Sequence, residues 1–186
     1  MALGAEFVDT SLADWDRLLG VNLRGVIHGC HFFVPPMLRS GSGHVVNIAS
    51  AAGFTATETL TAYCTTKFGV VGLSECLHAE LGRHGVGVTC ICPGFINTPI
   101  LDHAPLRGPL DTPAARSRMG DALRQRGYTP ERVAENLLRA VGRNRLIAPI
   151  TPEAWVLFYG KRYAPALLRR IAGFIQAQQR RALTAG

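Results

Sequence analysis

"HVVNIAS", residues 44–50, is a short run rich in β-branched residues, and it predicts a buried β-strand that ends at a serine. Two further runs of this kind follow, "VGVTCIC" at residues 86–92 and "RLIAP" at residues 145–149. Long stretches of helical character separate the three runs. Because strands that alternate with helices are typical of βαβ units, the sequence predicts an α/β fold with a parallel sheet covered by helices on both faces.

The two longest helical stretches are residues 10–37 and residues 61–84. We expect the first to end at Pro35-Pro36, since proline lacks the backbone N–H that a helix interior needs. Residues 129–142 predict a third helix. Residues 98–128 contain prolines, glycines and arginines without a clear period, and this pattern predicts an excursion from the sheet or a lid.

The composition indicates a single globular domain. A chain of 186 residues can bury a sizeable core, and no apolar run in it is long enough to span a bilayer. The first residues have neither the basic region nor the apolar region of a signal peptide. The five cysteines are scattered without a CxxC motif, and we place Cys90 and Cys92 on opposite faces of a strand. These features favour a reduced, cytoplasmic protein.

The charge is concentrated towards the end of the chain, where residues 151–186 predict an apolar and basic helical tail. The net charge of the chain is +7, and residues 151–186 contain six basic residues and one acidic residue, Glu153. Either the tail packs on the sheet edge with its arginines in water, or it forms an interfacial helix on acidic lipid. Pro165 argues against one continuous membrane helix, so a membrane surface is possible but not favoured. Nucleic-acid binding has less support, because no recognised module is present.

Tyr63 and Lys67 stand four positions apart in the second long helix, and residues at this spacing lie on one face. A cation close to a tyrosine favours the phenolate and can lower its pKa by ~1–3 units. Ser50 and the segment "PGFINT" both follow strands, at the carboxyl edge of the sheet where active sites gather in parallel α/β folds. His28 and His31 have a spacing that permits metal binding, but no third ligand is apparent and we expect no metal site.

Four motifs occur in order along the chain: "VNLRGV" (21–26), "GHVVNIASAAG" (43–53), "YCTTK" (63–67) and "CPGFINTP" (92–99). Together they resemble the short-chain dehydrogenase/reductase family. The resemblance implies a partial Rossmann-like, doubly wound parallel sheet in three α/β/α layers. It further implies hydride transfer between NAD or NADP and a secondary alcohol or ketone, and a homo-oligomer that pairs through helices 10–37 and 61–84.

The resemblance also implies roles for individual residues. Tyr63 is expected to exchange a proton with the substrate oxygen, Lys67 to lower the pKa of Tyr63 and bind the nucleotide ribose, and Ser50 to hold the substrate oxygen. Asn22 is expected to hold a water molecule that connects Lys67 to solvent. The residues expected to line the nicotinamide and its neighbouring phosphate are Pro93, Gly94, Ile96 and Thr98.

The family's glycine-rich turn before the first helix has no counterpart in this sequence, and neither has its Asn-Asn-Ala-Gly segment. We therefore interpret residues 1–186 as a single truncated domain without the N-terminal nucleotide-binding half, with residues 98–128 as the substrate loop. A fragment of a longer dehydrogenase is favoured over a degenerate product or an independent assembly chain. We expect the isolated chain to be inactive, the alternative being a catalytically silent scaffold. We expect a fairly large, apolar substrate.

Overall fold

The computed structural model describes residues 1–101, 103–125 and 128–184. Three parallel strands form one sheet in the order β1-β2-β3, with β1 at Gly43–Ile48, β2 at Val86–Cys92 and β3 at Ile147–Pro149. Each strand matches one of the three runs in the sequence. The predicted α/β fold with a parallel sheet is confirmed.

Seven α-helices accompany the sheet in the described part of the chain. In chain order they are α1 (Leu12–Leu19), α2 (Gly25–Ser40), α3 (Thr61–Leu81), α4 (Pro113–Arg124), α5 (Pro130–Gly142), α6 (Pro152–Tyr163) and α7 (Pro165–Thr184). A π-helical turn at Gly20–Arg24 joins α1 to α2, and a 3₁₀ turn at Ala51–Gly53 follows β1.

The helices cover the sheet on both faces. On one face, Cys30 and Val34 of α2 and Leu81 of α3 pack on Val45 and Val88 of the strands. On the other face, α5 packs on β2 and β3 in a cluster that contains Ile91, Ala140, Ala148 and Ile150. Two helical layers with a sheet between them are the arrangement that the apolar strands predict.

The predicted end of the first helix is wrong. Pro35 and Pro36 lie inside α2, which continues to Ser40 and is closed by Gly41 at a φ of 64°. The prolines remove the hydrogen bonds that the carbonyls of His31 and Phe32 would accept. Those residues are exposed, so water can satisfy the two carbonyls and the helix continues.

The prediction that Cys90 and Cys92 face opposite sides of the strand is also wrong. Their sulfur atoms lie 3.8 Å apart, both buried in one cluster with Ala49 and Val70. Side chains alternate along a strand with a period of two, so residues two apart share a face. The hydrogen bond with the Cys90 thiol, together with burial, raises the pKa of the Cys92 thiol.

Residues 98–128 leave the sheet, as predicted, but they contain helix α4. Positions 102, 126 and 127 of this segment lie outside the described residues. Its first part is held by the N-terminal residues: the Gly4 amide donates to the Pro105 carbonyl over 3.0 Å, and Arg107 forms a 3.0 Å ion pair with Asp14.

The C-terminal tail forms two helices, α6 and α7, and the predicted break at Pro165 lies between them. Positions 185 and 186 of the predicted tail are outside the described residues. Among the helices that are described, none combines the length and the apolar character needed to cross a membrane.

Strand β1 pairs with β2 along one edge, and within the described residues its other edge has no partner strand. Beside this edge lies an open groove of about 410 Å³, lined by α2 residues such as Val26 and Phe33 and by residues 44–48. An unpaired strand edge next to apolar surface is a place where another strand can add.

Candidate active site

Ser50 follows β1, and the register of the sheet brings it to the segment that follows β2. Ile48 pairs with Ile91, and beyond the strands the Ala51 amide donates to the Pro93 carbonyl over 2.7 Å. The Ser50 hydroxyl caps the 3₁₀ turn by accepting from the Ala52 amide at 3.1 Å. Two loops that are 43 residues apart in sequence are thereby joined at the carboxyl edge of the sheet.

The first turns of α3 present Tyr63 and Lys67 to this edge. The ammonium nitrogen Nζ of Lys67 lies 5.7 Å from the centre of the Tyr63 ring and donates to the Ile48 carbonyl over 3.0 Å. Gly53 allows the Ser50 turn to sit directly on α3, because a Cβ at Gly53 would be 2.9 Å from the Lys67 carbonyl. The chain therefore places Tyr63, Lys67 and Ser50 at one site.

Burial controls the protonation of both helix residues. It raises the pKa of the Tyr63 phenol, while the nearby Ser50 hydroxyl acts in the opposite direction by hydrogen bonding. Burial likewise lowers the pKa of Lys67. Burial therefore outweighs the Ser50 hydrogen bond at Tyr63, while the Lys67 ammonium is directed to the carbonyl of Ile48.

Asn22 is buried in the π-helical turn at Gly20–Arg24, where the sequence predicts regular helix. Its Nδ2 donates to the Met1 carbonyl at 2.9 Å and to the Thr66 hydroxyl at 3.3 Å, and its Oδ1 accepts from the Met1 amino group at 3.1 Å. Thr66 in turn donates to the Tyr63 carbonyl over 2.7 Å. Asn22 is therefore connected to the Tyr63 turn of α3 through one hydroxyl, and π-turns of this kind are frequent at functional sites.

The loop after β2 is fixed by the start of α6. Glu153 accepts a hydrogen bond from the Phe95 amide at 2.9 Å. Gly94 is in such close contact with this helix end that a Cβ there would overlap Thr151 Oγ1 and Glu153 Oε1. Glycine is thus required at Gly94 for packing, and Glu153 holds the backbone at Phe95.

Some of the predicted site residues contact one another in the structure. Others only lie in the same loop as a contacting residue. Ser50, Tyr63, Lys67 and Pro93 are connected by the contacts above, and Asn22 is connected through Thr66. Ile96 and Thr98 lie in the same loop as Pro93 and are half-buried, but among the described contacts none joins them to Tyr63 or Lys67. In the described part of the chain no group of three or more His, Cys, Asp or Glu residues is arranged to hold a metal ion.

Sequence reasoning missed three residues that position the site, namely Gly53, Thr66 and Glu153. Gly53 ends the motif "GHVVNIASAAG" and Thr66 lies inside "YCTTK", so both had a signal in the motifs. Glu153 had only a weak signal, as the single acid in a basic tail. Its contact with Phe95 spans 58 residues of sequence, and no local pattern predicts such a pairing.

Comparison with known protein families identifies the class of protein to which this chain belongs. Residues 2–106, more than half of the chain, match the short chain dehydrogenase family. This chain belongs to the short-chain dehydrogenase/reductase family of oxidoreductases. The four motifs that carried the resemblance all lie within the matched residues.

Several relatives are similar over most of this chain. It is 39% identical to the probable oxidoreductase EphD of Mycobacterium tuberculosis over 171 residues, which are 89% of this chain and 29% of that protein. It is 33% identical to the D-beta-hydroxybutyrate dehydrogenase of Rhizobium meliloti over 139 residues, covering 73% of this chain and 48% of the relative. The chain thus spans less than half of the length of these curated relatives.

The fold is shared with solved members of the family. A short chain dehydrogenase/reductase from Burkholderia phymatum, determined in complex with NAD, superposes with a TM-score of 0.75 at 28% identity. The match covers 90% of this chain and 65% of that protein. A putative short-chain dehydrogenase from Novosphingobium aromaticivorans gives a TM-score of 0.66 at 30% identity. These neighbours support the Rossmann-like architecture.

The contact of Gly94 with α6 gives a first testable prediction. Gly94→Ala is expected to lower the free energy of unfolding by about 1–3 kcal/mol, because the added methyl group displaces Thr151 and Glu153. The matched control is Gly72→Ala in the middle of α3, where an added Cβ meets nothing within 4 Å. That control should raise stability by about 0.5–1 kcal/mol. Urea unfolding followed by tryptophan fluorescence measures both, and equal effects of the two variants would contradict the packing described.

Proposed function

We propose that this chain carries the catalytic residues of an NAD(P)-dependent oxidoreductase that interconverts a secondary alcohol and its ketone. The observation that carries the proposal is the convergence of Tyr63, Lys67 and Ser50 at the carboxyl edge of the sheet, where Lys67 donates to the Ile48 carbonyl. Three polar side chains from two separate motifs meet at the place where parallel α/β folds bind their ligands.

In this proposal each residue acts on the substrate oxygen or on its neighbours. The Tyr63 phenolate takes the proton from the alcohol, and in the reverse direction the Tyr63 hydroxyl gives its proton to the ketone oxygen. The Ser50 hydroxyl donates a hydrogen bond to the same oxygen and holds it in line with the phenol. Lys67 keeps positive charge beside the phenol, and Asn22 with Thr66 fixes the turn of α3 from which Tyr63 projects.

The donor set fits the nicotinamide end of NAD or NADP. Tyr63 and Lys67 offer a hydroxyl and an ammonium for ribose hydroxyls, and the loop with Pro93, Gly94, Ile96 and Thr98 follows the adjacent strand. When bound, the nicotinamide ring supplies the acceptor or donor of the hydride. The glycine-rich turn that binds the pyrophosphate is not in this sequence, so the fit extends to one half of the nucleotide.

Two apolar side chains in the loop after β2 support a substrate of fairly large, apolar character. Phe95 is exposed just before residues 98–128, which we interpret as the substrate loop, and Ile100 is exposed within them. Comparing larger apolar alcohols with small polar ones as substrates tests this expectation.

The rival proposal is a catalytically silent chain that serves in assembly. Its support is the apolar outer surface of the π-turn and α2, where Val21, Ile27, Phe32 and Phe33 are exposed. The same surface suits a homo-oligomer that pairs through the long helices, because apolar area exposed on this scale usually marks an interface. Both proposals use this surface, but they differ in whether the Tyr63 site performs chemistry.

The isolated 186-residue chain is expected to associate and to bind neither NAD(H) nor NADP(H) tightly. The open edge of β1 and the apolar groove beside it favour association, and the sequence has no glycine-rich helix end for the pyrophosphate. Calorimetry with each nucleotide and light scattering on the same sample measure the two properties. A monodisperse monomer with micromolar affinity for either nucleotide would contradict this expectation.

Activity is tested in a fusion that supplies the nucleotide-binding half from the Burkholderia phymatum relative in front of this chain. We expect the fusion to oxidise secondary alcohols with NAD or NADP, larger apolar ones better than small polar ones. Tyr63→Phe should lower turnover by ~10²–10⁴-fold with nucleotide affinity largely retained, since only the proton-transferring hydroxyl is removed. Nucleotide fluorescence measures affinity and absorbance of the reduced nicotinamide measures turnover.

Two further variants complete the assay. Tyr163→Phe makes the same chemical change at an exposed position of α6 and should leave turnover unchanged. Lys67→Ala should weaken nucleotide binding as well as turnover, because Lys67 serves both ribose and phenol in the proposal. Near-normal turnover of Tyr63→Phe would exclude the assigned role, whereas a fusion that binds nucleotide and turns over no alcohol would favour the silent scaffold.

A further inference from the structure

The last helix, α7, uses one of its faces to pack on α6. Leu168 and Ala172, four residues apart on α7, are half-buried, and Leu168 lies against Gly160 of α6. Helix α6 is itself anchored to the domain, with Ala154 fully buried and Phe158 in edge contact with Phe54 at 5.2 Å. The expected packing of the tail on the sheet therefore holds for α6.

A second face of α7 remains uncovered. Leu167, Ile171 and Phe174 recur at intervals of four and three residues, which places them along one stripe of the helix. Helix α6 has an equivalent stripe of Val156, Tyr159 and Tyr163. These six residues, which we call the tail surface, are each between 48% and 76% exposed. Large apolar side chains exposed in this regular pattern indicate a surface that meets another apolar phase.

The charges around the tail surface determine the kind of partner. After Glu153 the sequence contains no acidic residue, while Lys161, Arg162, Arg169 and Arg170 are exposed on the same two helices. Two copies of such a surface would bring like charges together, which opposes self-association through it. Apolar stripes on helices that carry basic residues, and no acid after Glu153, complement an apolar phase bordered by negative charge.

From this arrangement we propose that the tail surface binds the interface of a membrane that contains anionic lipids. The apolar stripes enter the boundary between headgroups and acyl chains, and the exposed arginines, with Arg170 beside the stripe of α7, attract the lipid phosphates. Tyr159 and Tyr163 stack at 6.0 Å between ring centres, and tyrosines are favoured at this boundary because they are apolar with one polar end.

The helices lie on the membrane in this proposal and do not cross it. Pro165 separates α6 from α7, and no described helix is long and apolar enough to span. Of the two helices α6 is the one anchored in the domain, so the exposed stripes favour the membrane interface over packing of the whole tail on the sheet edge. The proposal is independent of the chemistry at Tyr63.

Vesicle flotation with the 186-residue chain tests the proposal, since vesicle-bound protein floats and aggregated protein does not. The vesicles contain phosphatidylcholine alone or an equal mixture with phosphatidylglycerol. We expect at least ~10-fold stronger binding to the anionic vesicles at low salt, and most of this difference should be lost at high salt. Equal binding to both kinds of vesicle, or to neither, would overturn the proposal.

Two sets of variants separate the apolar and the basic contributions. The triple change Leu167→Ser, Ile171→Ser and Phe174→Ser should lower anionic-vesicle binding at least ~10-fold, because the stripe no longer enters the acyl boundary. Arg169→Gln with Arg170→Gln should reduce the preference for anionic over neutral lipid. The matched control, Phe32→Ser with Phe33→Ser on α2, removes two equally exposed aromatics elsewhere and should leave binding unchanged. A control that loses as much binding as the triple variant would overturn the proposal.

Fluorescence of Trp155 tests membrane binding without any substitution in the tail, so the result does not depend on whether the tail variants fold. Trp15→Phe leaves Trp155, which stacks on Tyr159 of the tail surface at 5.6 Å, as the single tryptophan. Lipid brominated near the headgroups should quench Trp155 fluorescence in anionic vesicles. Absence of quenching would overturn the proposal. Light scattering provides a second test: if the triple variant is a monomer while the unaltered chain and the control variant are dimers, the tail surface is a protein contact and the proposal is wrong.

Discussion

The parallel pairing of β1 with β2 is the interaction on which the candidate site depends. Beyond the paired strands, the Ala49 amide donates to the Ile91 carbonyl at 2.8 Å and the Ala51 amide to the Pro93 carbonyl at 2.7 Å. These bonds hold the loops after the two strands side by side. Helix α3 then crosses this edge, and Lys67 attaches to it at Ile48. Parallel pairing thus brings two distant motifs together at one site. The unpaired edge of β1 takes no part in these contacts.

Local sequence patterns predicted the strands and most helix positions, whereas Ser50, Tyr63 and Lys67 were selected by the family resemblance that four motifs carry. The β-branched runs correspond to the three strands because buried parallel strands require continuous apolar sequence. The predictions failed where context outweighed a local rule. Pro35 and Pro36 do not end α2, since the carbonyls they leave unpaired are on the solvent side, and Cys90 and Cys92 share a face because a strand alternates with a period of two.

Other features depend on contacts that sequence patterns do not express. The hydrogen bond from the Phe95 amide to Glu153 and the π-turn that buries Asn22 are both consequences of how distant elements pack. Burial is also the main influence on the pKa of Tyr63. It raises this pKa although a lysine lies four residues away in sequence. The tail shows the same limit: its composition indicated apolar and basic helices, but only the packing of α6 and α7 reveals which stripe is left exposed.

Residues 1–186 place Tyr63 beside Ser50 when they fold. Titration of tyrosines labelled with carbon-13 at Cζ, with Tyr63→Phe to assign the signal, measures this directly by NMR. The pKa of Tyr63 should lie above the usual value of about 10, because burial disfavours the phenolate, and Ser50→Ala should raise it further by removing the opposing hydrogen bond. A pKa of Tyr63 at or below the usual value, or one that Ser50→Ala leaves unchanged, would contradict the account.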